Sequence, residues 1–301
     1  MKKLFLPILA LFASALFSCK GGGDAVDLKL NLQSGSQYVY VMENKMIMEQ
    51  SAMGQTIKAN NDMTMEFLYD VANGTGSNKK ITVTYNRIAM DMKSAMANIS
   101  YDSQDSAHSD ERLGMMGHML HKPFTMEVTT KGDITRVDGL TDIINSMGDT
   151  TTPEGAAMHN QIVSNFNDSA MKGMMQQSLN IFPDNPVRPG DTWTKTYSMN
   201  MSMINVKMDN VYKLISVSNG VAHIEVNSKL TGSGGINGDA TMKSVQINLG
   251  GDQKGNMDLE IASGLVTDCK LKQSIKGDIS TNGMKIPLSM TQDTHITAHK
   301  K

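Results

Sequence analysis

The chain has 301 residues, a formal net charge of −2 and 27 methionines, while aromatic residues make up only 5% of it. A nearly neutral chain offers no electrostatic reason to expect nucleic acid as a partner. Its two cysteines, Cys19 and Cys269, are too few for a disulfide framework. Stability must therefore come from core packing, for which this length is sufficient, and we expect Cys269 to be a small buried hydrophobe.

The first 18 residues have the pattern of a secretory signal peptide. Lys2 and Lys3 precede an apolar run over residues 4–17, which is shorter than the about 20 residues of a membrane-spanning helix. The run ends at Ser18-Cys19, which resembles the lipobox of bacterial lipoproteins. The resemblance implies cleavage before Cys19 and acylation of its thiol, hence a membrane anchor in the cell envelope, at the outer membrane. An ordinary secreted protein is the alternative. Residues 19–24 are predicted to be a flexible tether.

Residues 25–138 show the period-two alternation of β-strands. Apolar side chains share one parity from Tyr38 to Met48 and again from Met63 to Val71. Residues 73–78 are predicted to form a turn. The next strand changes parity near Asn86-Arg87, which predicts a β-bulge there. A hairpin with its turn at residues 131–133 follows.

Residues 139–185 are predicted to be a helical connector between two β regions. One short helix is expected over residues 140–147. Thr152 and Pro153 suit the N-cap and first position of a second helix, and residues 167–169 suit the start of a third. Pro183 and Pro186 would end the last helix. Such amphipathic helices normally cover an apolar sheet face.

Residues 186–301 return to alternation. Trp193, Tyr197 and the methionines at 199, 201 and 203 share one parity, with a turn or bulge expected near Ile204-Asn205. Asn219-Gly220 is typical of a two-residue hairpin turn, and a further turn is expected at Ser263-Gly264.

The two β regions resemble each other. Gly35 and Tyr38 lie 155 positions before Gly190 and Trp193, and the later turns follow in the same order. We therefore predict a mainly β fold of two related antiparallel β-meander halves, as curved sheets or half-barrels, with the helical connector between them. The alternative to a duplication is that both regions form β-strands and show similar patterns for that reason alone.

Several stretches together resemble a known family. These are LNLQSGSQYVY, FLYDVANG, ITVTYNRIAM, KPFTMEVTTKGDITRVDG and IFPDNPVRPGDTW, in that order. The chain is similar to lipoproteins, mainly from Bacteroidota, that are catalogued only as a domain of unknown function. The resemblance covers nearly the whole mature chain, and its most specific part is residues 186–193. It implies a lipid-anchored envelope protein and supplies no catalytic residues.

Catalytic motifs are missing from the sequence. It contains no Gly-x-Ser-x-Gly elbow, no His-Glu-x-x-His and no phosphate-binding loop. Carboxylates such as Asp70, Glu127 and Asp191 are explained by turns and solvated strand faces. We expect a protein that is not an enzyme and needs no cofactor.

Methionine-rich strand faces suggest an apolar or lipidic ligand, because flexible methionines recur at adaptable binding surfaces. The arrangement would be similar to the half-barrel lipoprotein carriers of the envelope. A closed core in which methionine simply packs is the alternative, and an envelope partner could replace the lipid. The predicted wall comprises Met46, Met48, Met63, Met65, Trp193, Tyr197, Met199, Met201 and Met203.

Copper handling is a second functional hypothesis. One short segment combines thioether and imidazole side chains, which are ligands that suit copper. Its candidate ligands are Met115, His118, Met119 and His121. A structural connector over residues 113–121 explains the same residues without a metal. His295 and His299 are spaced for a metal pair only on a helix, whereas their neighbours favour a strand. A purely structural surface lipoprotein is the third possibility.

Overall fold

The computed structural model describes residues 24–52, 55–95, 97–110, 116–146, 168–201, 204–236, 244–281 and 284–301. Thirteen strands there form one antiparallel sheet, which confirms the mainly β prediction. The strands are β1 (Gln37–Ala52), β2 (Gln55–Asn73), β3 (Lys79–Ser94), β4 (Asn98–Asp102), β5 (Asp105–Ser109), β6 (Phe124–Val128), β7 (Ile134–Asp138), β8 (Thr192–Met201), β9 (Ile204–Ser218), β10 (Val221–Ile236), β11 (Val245–Glu260), β12 (Leu265–Thr281) and β13 (Met284–Lys300).

The two predicted meanders are joined edge to edge. The strand order is β5-β4-β3-β2-β1-β13-β12-β11-β10-β9-β8, with β6 beside β3 and β7 beside β6. The first and last long strands, β1 and β13, pair from Tyr38↔Lys300 to Gln50↔Leu288. Among the described residues, the edge strands β5 and β8 do not pair with each other, so the sheet is open.

Alternation gives the sheet two unlike faces. We call the face that carries the buried core the inner face; it includes Tyr38 and Leu214, which are 3% and 0% exposed. The opposite, outer face carries charged side chains such as Glu43 and His295, which are direct cross-strand partners. Because successive side chains on a strand point to opposite faces, one strand contributes to both.

The predicted β2–β3 and β9–β10 turns and the predicted bulge are present. Residues 74–78 link β2 to β3, and the register shifts between Glu66 and Phe67, opposite Asn86. Asn219 and Gly220 both have positive φ, at 51° and 78°, and join β9 to β10. That conformation is the one a two-residue hairpin turn requires.

Two helices occur in the described part of the connector, α1 (Leu140–Asn145) and α2 (Asp168–Leu179). Both agree with predicted helices. The helix expected to start at Thr152 lies outside the described residues. The strand expected to run to Met203 instead ends at Met201, and β9 already begins at Ile204. The turn or bulge predicted near Ile204-Asn205 is not found there, because both residues belong to β9.

One end of the inner face is covered by segments from distant parts of the chain, and we call it the closed end. Residues 26–32 cross it in extended form, with Leu28, Leu30 and Leu32 at most 3% exposed. The Leu30 N–H donates to Thr130 O at 2.8 Å, and the Asn31 N–H donates to Ser263 O at 2.7 Å. These bonds connect the β6–β7 turn to the β11–β12 turn.

The start of each predicted half has the same local geometry. The Gly35 N–H donates to Val71 O at 2.7 Å, and the Gly190 N–H donates to Leu214 O at 2.7 Å. Both glycines have positive φ, which residues other than glycine adopt only with strain. The paired corners place Tyr38 and Trp193 at corresponding positions of β1 and β8.

Candidate ligand-binding face

A row of polar side chains crosses the inner face below the closed end. Cross-strand registers from β8 to β13 make each member the direct partner of the next. The Gln273 amide donates to Gln253 Oε1 at 3.4 Å, and the Gln253 amide donates to Ser228 Oγ at 3.4 Å. This polar row consists of Lys195, Asn210, Ser228, Gln253, Gln273 and Gln292.

Beyond the polar row the inner face becomes apolar again. We call this region the open half, and it includes the inner face of β1 from Asn44 to Gln50 and of β2 from Met63 to Ile57. On β9, β10 and β12 it contains a small buried cluster of Met208, Leu230 and Ile275, at 6–7% exposure. Helix α2 contributes cover here, since the Gln177 amide lies 3.0 Å from Met208 Sδ. The β9 side of the open half is therefore packed.

The β1–β2 side of the open half is more exposed. Met46, Met48 and Met63 are half-buried and belong to neither buried cluster of the described residues. Met48 is the direct partner of Met290, which extends the same surface onto β13. Met65, nearer the closed end, packs against the main core. The result is a methionine-lined apolar surface continuous with the core.

The β8 members of the predicted wall have a different role. Trp193 stacks on Tyr212 with ring centroids 5.5 Å apart, and its indole N–H donates to Ile181 O at 2.7 Å. The Tyr197 hydroxyl donates to Asn180 O. Burial raises the pKa of Tyr197 well above its usual value, so this hydroxyl stays protonated. Both side chains hold the connector on the sheet.

The structure thus divides the predicted wall into two groups. Met199 is half-buried and pairs with Val206 near the free edge of the sheet. The backbone of Met201 pairs with Ile204, and Met203 lies outside the described residues. Five strands separate β8 from β1, so the groups are about 29 Å apart along the sheet at about 4.8 Å per strand. Along the sheet, this distance is too long for one short ligand to contact both the β1–β2 methionines and the β8 side chains.

The copper hypothesis concerns residues beside the core. Met116 and Met119 pack against the main core, whereas His118 and His121 are exposed. Met115 lies outside the described residues. Within the described ranges, no group of three or more His, Cys, Asp or Glu side chains could hold a metal ion. Copper binding by methionine and histidine at this segment stays a prediction.

The outer face contains a groove of about 660 Å³ that the alternation did not predict. Its charged lining comes from five neighbouring strands. In the sequence each of these residues therefore looks like an ordinary charged residue on a solvent-exposed strand face. At one end, His295 Nε2 lies 3.0 Å from Asp268 Oδ2 and His295 Nδ1 lies 3.7 Å from Glu43 Oε2. The hydrogen bond with His295 lowers the pKa of Asp268. Lysines and carboxylates alternate along the groove, which gives it no dominant charge.

Comparison with protein families gives a match over residues 76–266, from the β2–β3 turn to the start of β12. The model that matches is described as a family of unknown function, DUF6263. This chain belongs to that family. The matched region includes residues 186–193, the most specific part of the family resemblance seen in the sequence. That stretch forms the Gly190 corner and places Trp193 against the connector, so its role here is structural.

Two solved structures show distant likenesses to the chain. Lipovitellin has a TM-score of 0.44 and 10% identity, covering 89% of this chain and 25% of its own. This chain therefore spans about a quarter of that protein. Pseudomonas aeruginosa OccK5 has a TM-score of 0.23 and 6% identity, covering 89% of this chain and 99% of its own. At these scores neither likeness assigns a fold or a function. No curated protein sequence matches the chain.

Of the helices in the described residues, none combines the length and apolarity that crossing a membrane requires.

Proposed function

We propose that this chain is a non-enzymatic, lipid-anchored protein of the cell envelope, and that it binds an apolar or lipidic ligand on the open half of its inner face. The observation that carries the proposal is the half-buried methionine surface of Met46, Met48 and Met63, which continues the face of the buried core. Full burial of one such side chain is worth about 1.5–3 kcal/mol. An apolar ligand would gain part of this from each methionine.

Methionine suits this role because its side chain is flexible and polarizable, and can adapt to ligands of different shape. The surface spans β1, β2 and β13 through the pairs Met42↔Met65 and Met48↔Met290. The surrounding inner-face positions on these strands are uncharged. This lining supports an aliphatic chain as the ligand better than a polar metabolite.

The anchor is proposed from the first residues of the sequence. Lys2, Lys3, the apolar run and Ser18-Cys19 together resemble the signal peptide and lipobox of bacterial lipoproteins. Acylation at Cys19 would hold the protein at the outer membrane. Mass spectrometry of the protein from its native membranes should find acyl chains on Cys19, and Cys19→Ala should move the protein to the soluble fraction. An unmodified Cys19 would contradict the anchor.

Ligand binding is tested with the protein expressed from residue 20 onward and the fluorescent hydrophobic probe N-phenylnaphthylamine. We expect saturable probe binding that Met48→Lys weakens roughly tenfold, because the ammonium group would be introduced into the apolar surface. The matched control is Ile47→Lys, at the adjacent position on the outer face, where Ile47 is 39% exposed. This control should leave the affinity unchanged.

Native mass spectrometry after gentle purification provides an independent measurement. A co-purified lipid would support the proposal. Absence of both co-purified lipid and saturable probe binding would favour the purely structural alternative and end the ligand hypothesis. Equal loss of probe binding in both lysine variants would place the probe elsewhere.

A further inference from the structure

We infer that the ligand of the open half has an uncharged polar end that donates hydrogen bonds, and that Asn44 and Asn61 accept them. This inference rests on the proposed function and specifies the ligand class. The side-chain Oδ1 atoms of Asn44 and Asn61 are both buried and have no hydrogen-bond partner. Buried polar atoms are normally paired, so two unpaired ones on one apolar surface require a partner.

The two asparagines lie close together on neighbouring strands of the inner face. Asn44 on β1 is the direct partner of Met63 on β2 and of Thr294 on β13. Asn61 on β2 is the direct partner of Met46. The two asparagines are therefore diagonal neighbours, with Cα atoms about 7–8 Å apart. Both Oδ1 atoms are closed to solvent in the unliganded chain, so the polar end of the ligand must displace neighbouring atoms to bond with them.

The chemistry of these atoms selects the ligand's polar group. An amide oxygen only accepts hydrogen bonds, so the ligand must carry an O–H or N–H. No donor among the described residues lies within hydrogen-bonding distance of either Oδ1, and on β13 the Gln292 amide donates instead to Thr294 Oγ1 at 3.2 Å. An ester, an ether or an ionised carboxylate has no proton to offer. A hydroxyl or an amide N–H on an uncharged lipid matches the site.

Charge on the inner face supports an uncharged end. The inner-face residues of β1 beyond Tyr40 are Met42, Asn44, Met46, Met48 and Gln50, none of which is ionisable. The cation of the polar row, Lys195, lies on β8 and pairs with Asp184 at 3.0 Å. An anionic head group at Asn44 and Asn61 would therefore be desolvated without a countercharge, which is costly.

An aliphatic chain would extend from the asparagines toward the open half. On β13 the inner-face residues beyond Gln292 are Met290, Leu288 and Ile286, all half-buried. Six residues of antiparallel strand span about 20 Å. An extended acyl chain could lie along this apolar track with its polar end at the asparagines.

The test compares hexadecanol with hexadecyl methyl ether, which share a chain and differ in the hydroxyl proton. Each is used to displace N-phenylnaphthylamine from the protein expressed from residue 20 onward. Hexadecanol should displace the probe at a roughly fivefold to tenfold lower concentration, as expected for a hydrogen bond to a buried acceptor. Equal potency of the two compounds would overturn the inference while leaving probe binding, and the proposed function, intact.

The variant with both Asn44→Leu and Asn61→Leu should lose the preference for the alcohol and keep its affinity for the ether. Its Tm should rise, because two unpaired buried acceptors have been replaced by apolar groups of similar size. Asn60→Leu is the matched control, since Asn60 is adjacent to Asn61 but is exposed on the outer face. A double variant that retains the preference would also overturn the inference. Failure of the native protein to bind the probe would overturn both proposals.

Discussion

The closed end and the open half belong to the same strands, yet they differ in burial. On β1, Tyr38 is 3% exposed, whereas Met46 and Met48 on the same face remain half-buried. The alternation of apolar side chains is the same in both regions. The difference comes from the cover, because residues 26–32 and 179–187 lie over the closed end. Burial on this sheet is therefore determined by distant segments and not by strand pattern.

The cover is held mainly by backbone contacts and tight turns. Gly132 and Gly264 have positive φ, at 81° and 70°, in the turns that meet the extended segment. A Cβ on Gly264 would lie 2.1 Å from Lys29 O, and one on Gly132 would lie 1.9 Å from Leu179 O. Such close approach leaves no room for a side chain. The closed end should therefore be the stable and mutation-sensitive part of the molecule.

Truncation of a covering side chain should have the largest effect. Phe182 is 1% exposed and belongs to the main buried cluster. Phe182→Ala should lower the free energy of unfolding by about 3–5 kcal/mol, through lost burial and the cavity that remains. Met48→Ala in the open half should cost about 1 kcal/mol or less, because Met48 is only half-buried. Denaturant unfolding followed by circular dichroism measures both values.

The reactivity of Cys269 gives a second way to compare the closed end with the open half. Its side chain is 2% exposed, as the sequence predicted, and burial raises the pKa of its thiol to about 12. Alkylation of the thiol should therefore follow opening of the closed end, and Phe182→Ala should accelerate it far more than Met48→Ala. Similar rates in the two variants would mean that the two regions unfold as one unit.

Glycine substitution gives an intermediate effect. Gly264→Ala should destabilise the protein by about 1–3 kcal/mol from its backbone conformation alone, with the clash at Lys29 O adding to this. Gly250→Ala is the matched control within a strand of the open half, where an added Cβ meets nothing within 4 Å. The control should be neutral or slightly stabilising. Thermal unfolding of both variants tests the contrast, and an unchanged Tm for Gly264→Ala would contradict it.

A hydrogen-bonded carboxylate on the outer face, Asp268, should give the smallest effect. The hydrogen bond with His295 lowers the pKa of Asp268. This carboxylate therefore binds a proton more weakly in the folded state than in the unfolded state. Its contribution to stability is present above the unfolded pKa of about 3.9 and is lost as pH falls through the lower, folded pKa. The side chain is 39% exposed, so the contribution is small.

Urea unfolding between neutral pH and pH 3 tests this contribution. Asp268→Asn should be less stable than the native protein near pH 6, with the difference shrinking as the pH approaches 3. A pH-independent difference for Asp268→Asn would indicate lost packing and not a lost charge.

Local features could be predicted from the sequence because neighbouring residues determine them. The Asn219-Gly220 turn, the bulge opposite Glu66 and Phe67, and the helix ending at Leu179 all agree with the pattern of nearby residues. Trp193 and Tyr197 share one face of β8, as the pattern predicts, but the pattern gave no sign of their hydrogen bonds to Ile181 and Asn180 in the connector. Parity identifies a face and does not identify what covers it.

The polar row and the outer groove could not be predicted in the same way. Gln253, Gln273 and Gln292 each interrupt an apolar face, but their alignment depends on the register of three separate strands. Asn44 and Asn61 similarly appear isolated until β1 and β2 are paired. That both Oδ1 atoms are buried without a hydrogen-bond partner is visible only in the assembled sheet.

The sequence by itself determined the β character of the chain, the alternation of its faces and most of its turns, because period-two patterning and turn chemistry act over a few residues. Only the tertiary structure decided which part of the apolar face would be buried. It joined β1 to β13 across nearly the full chain and placed residues 26–32 over one end of the sheet. These contacts depend on packing between distant segments, which no local pattern contains. The methionines beyond this cover, Met46, Met48 and Met63, are therefore left half-buried.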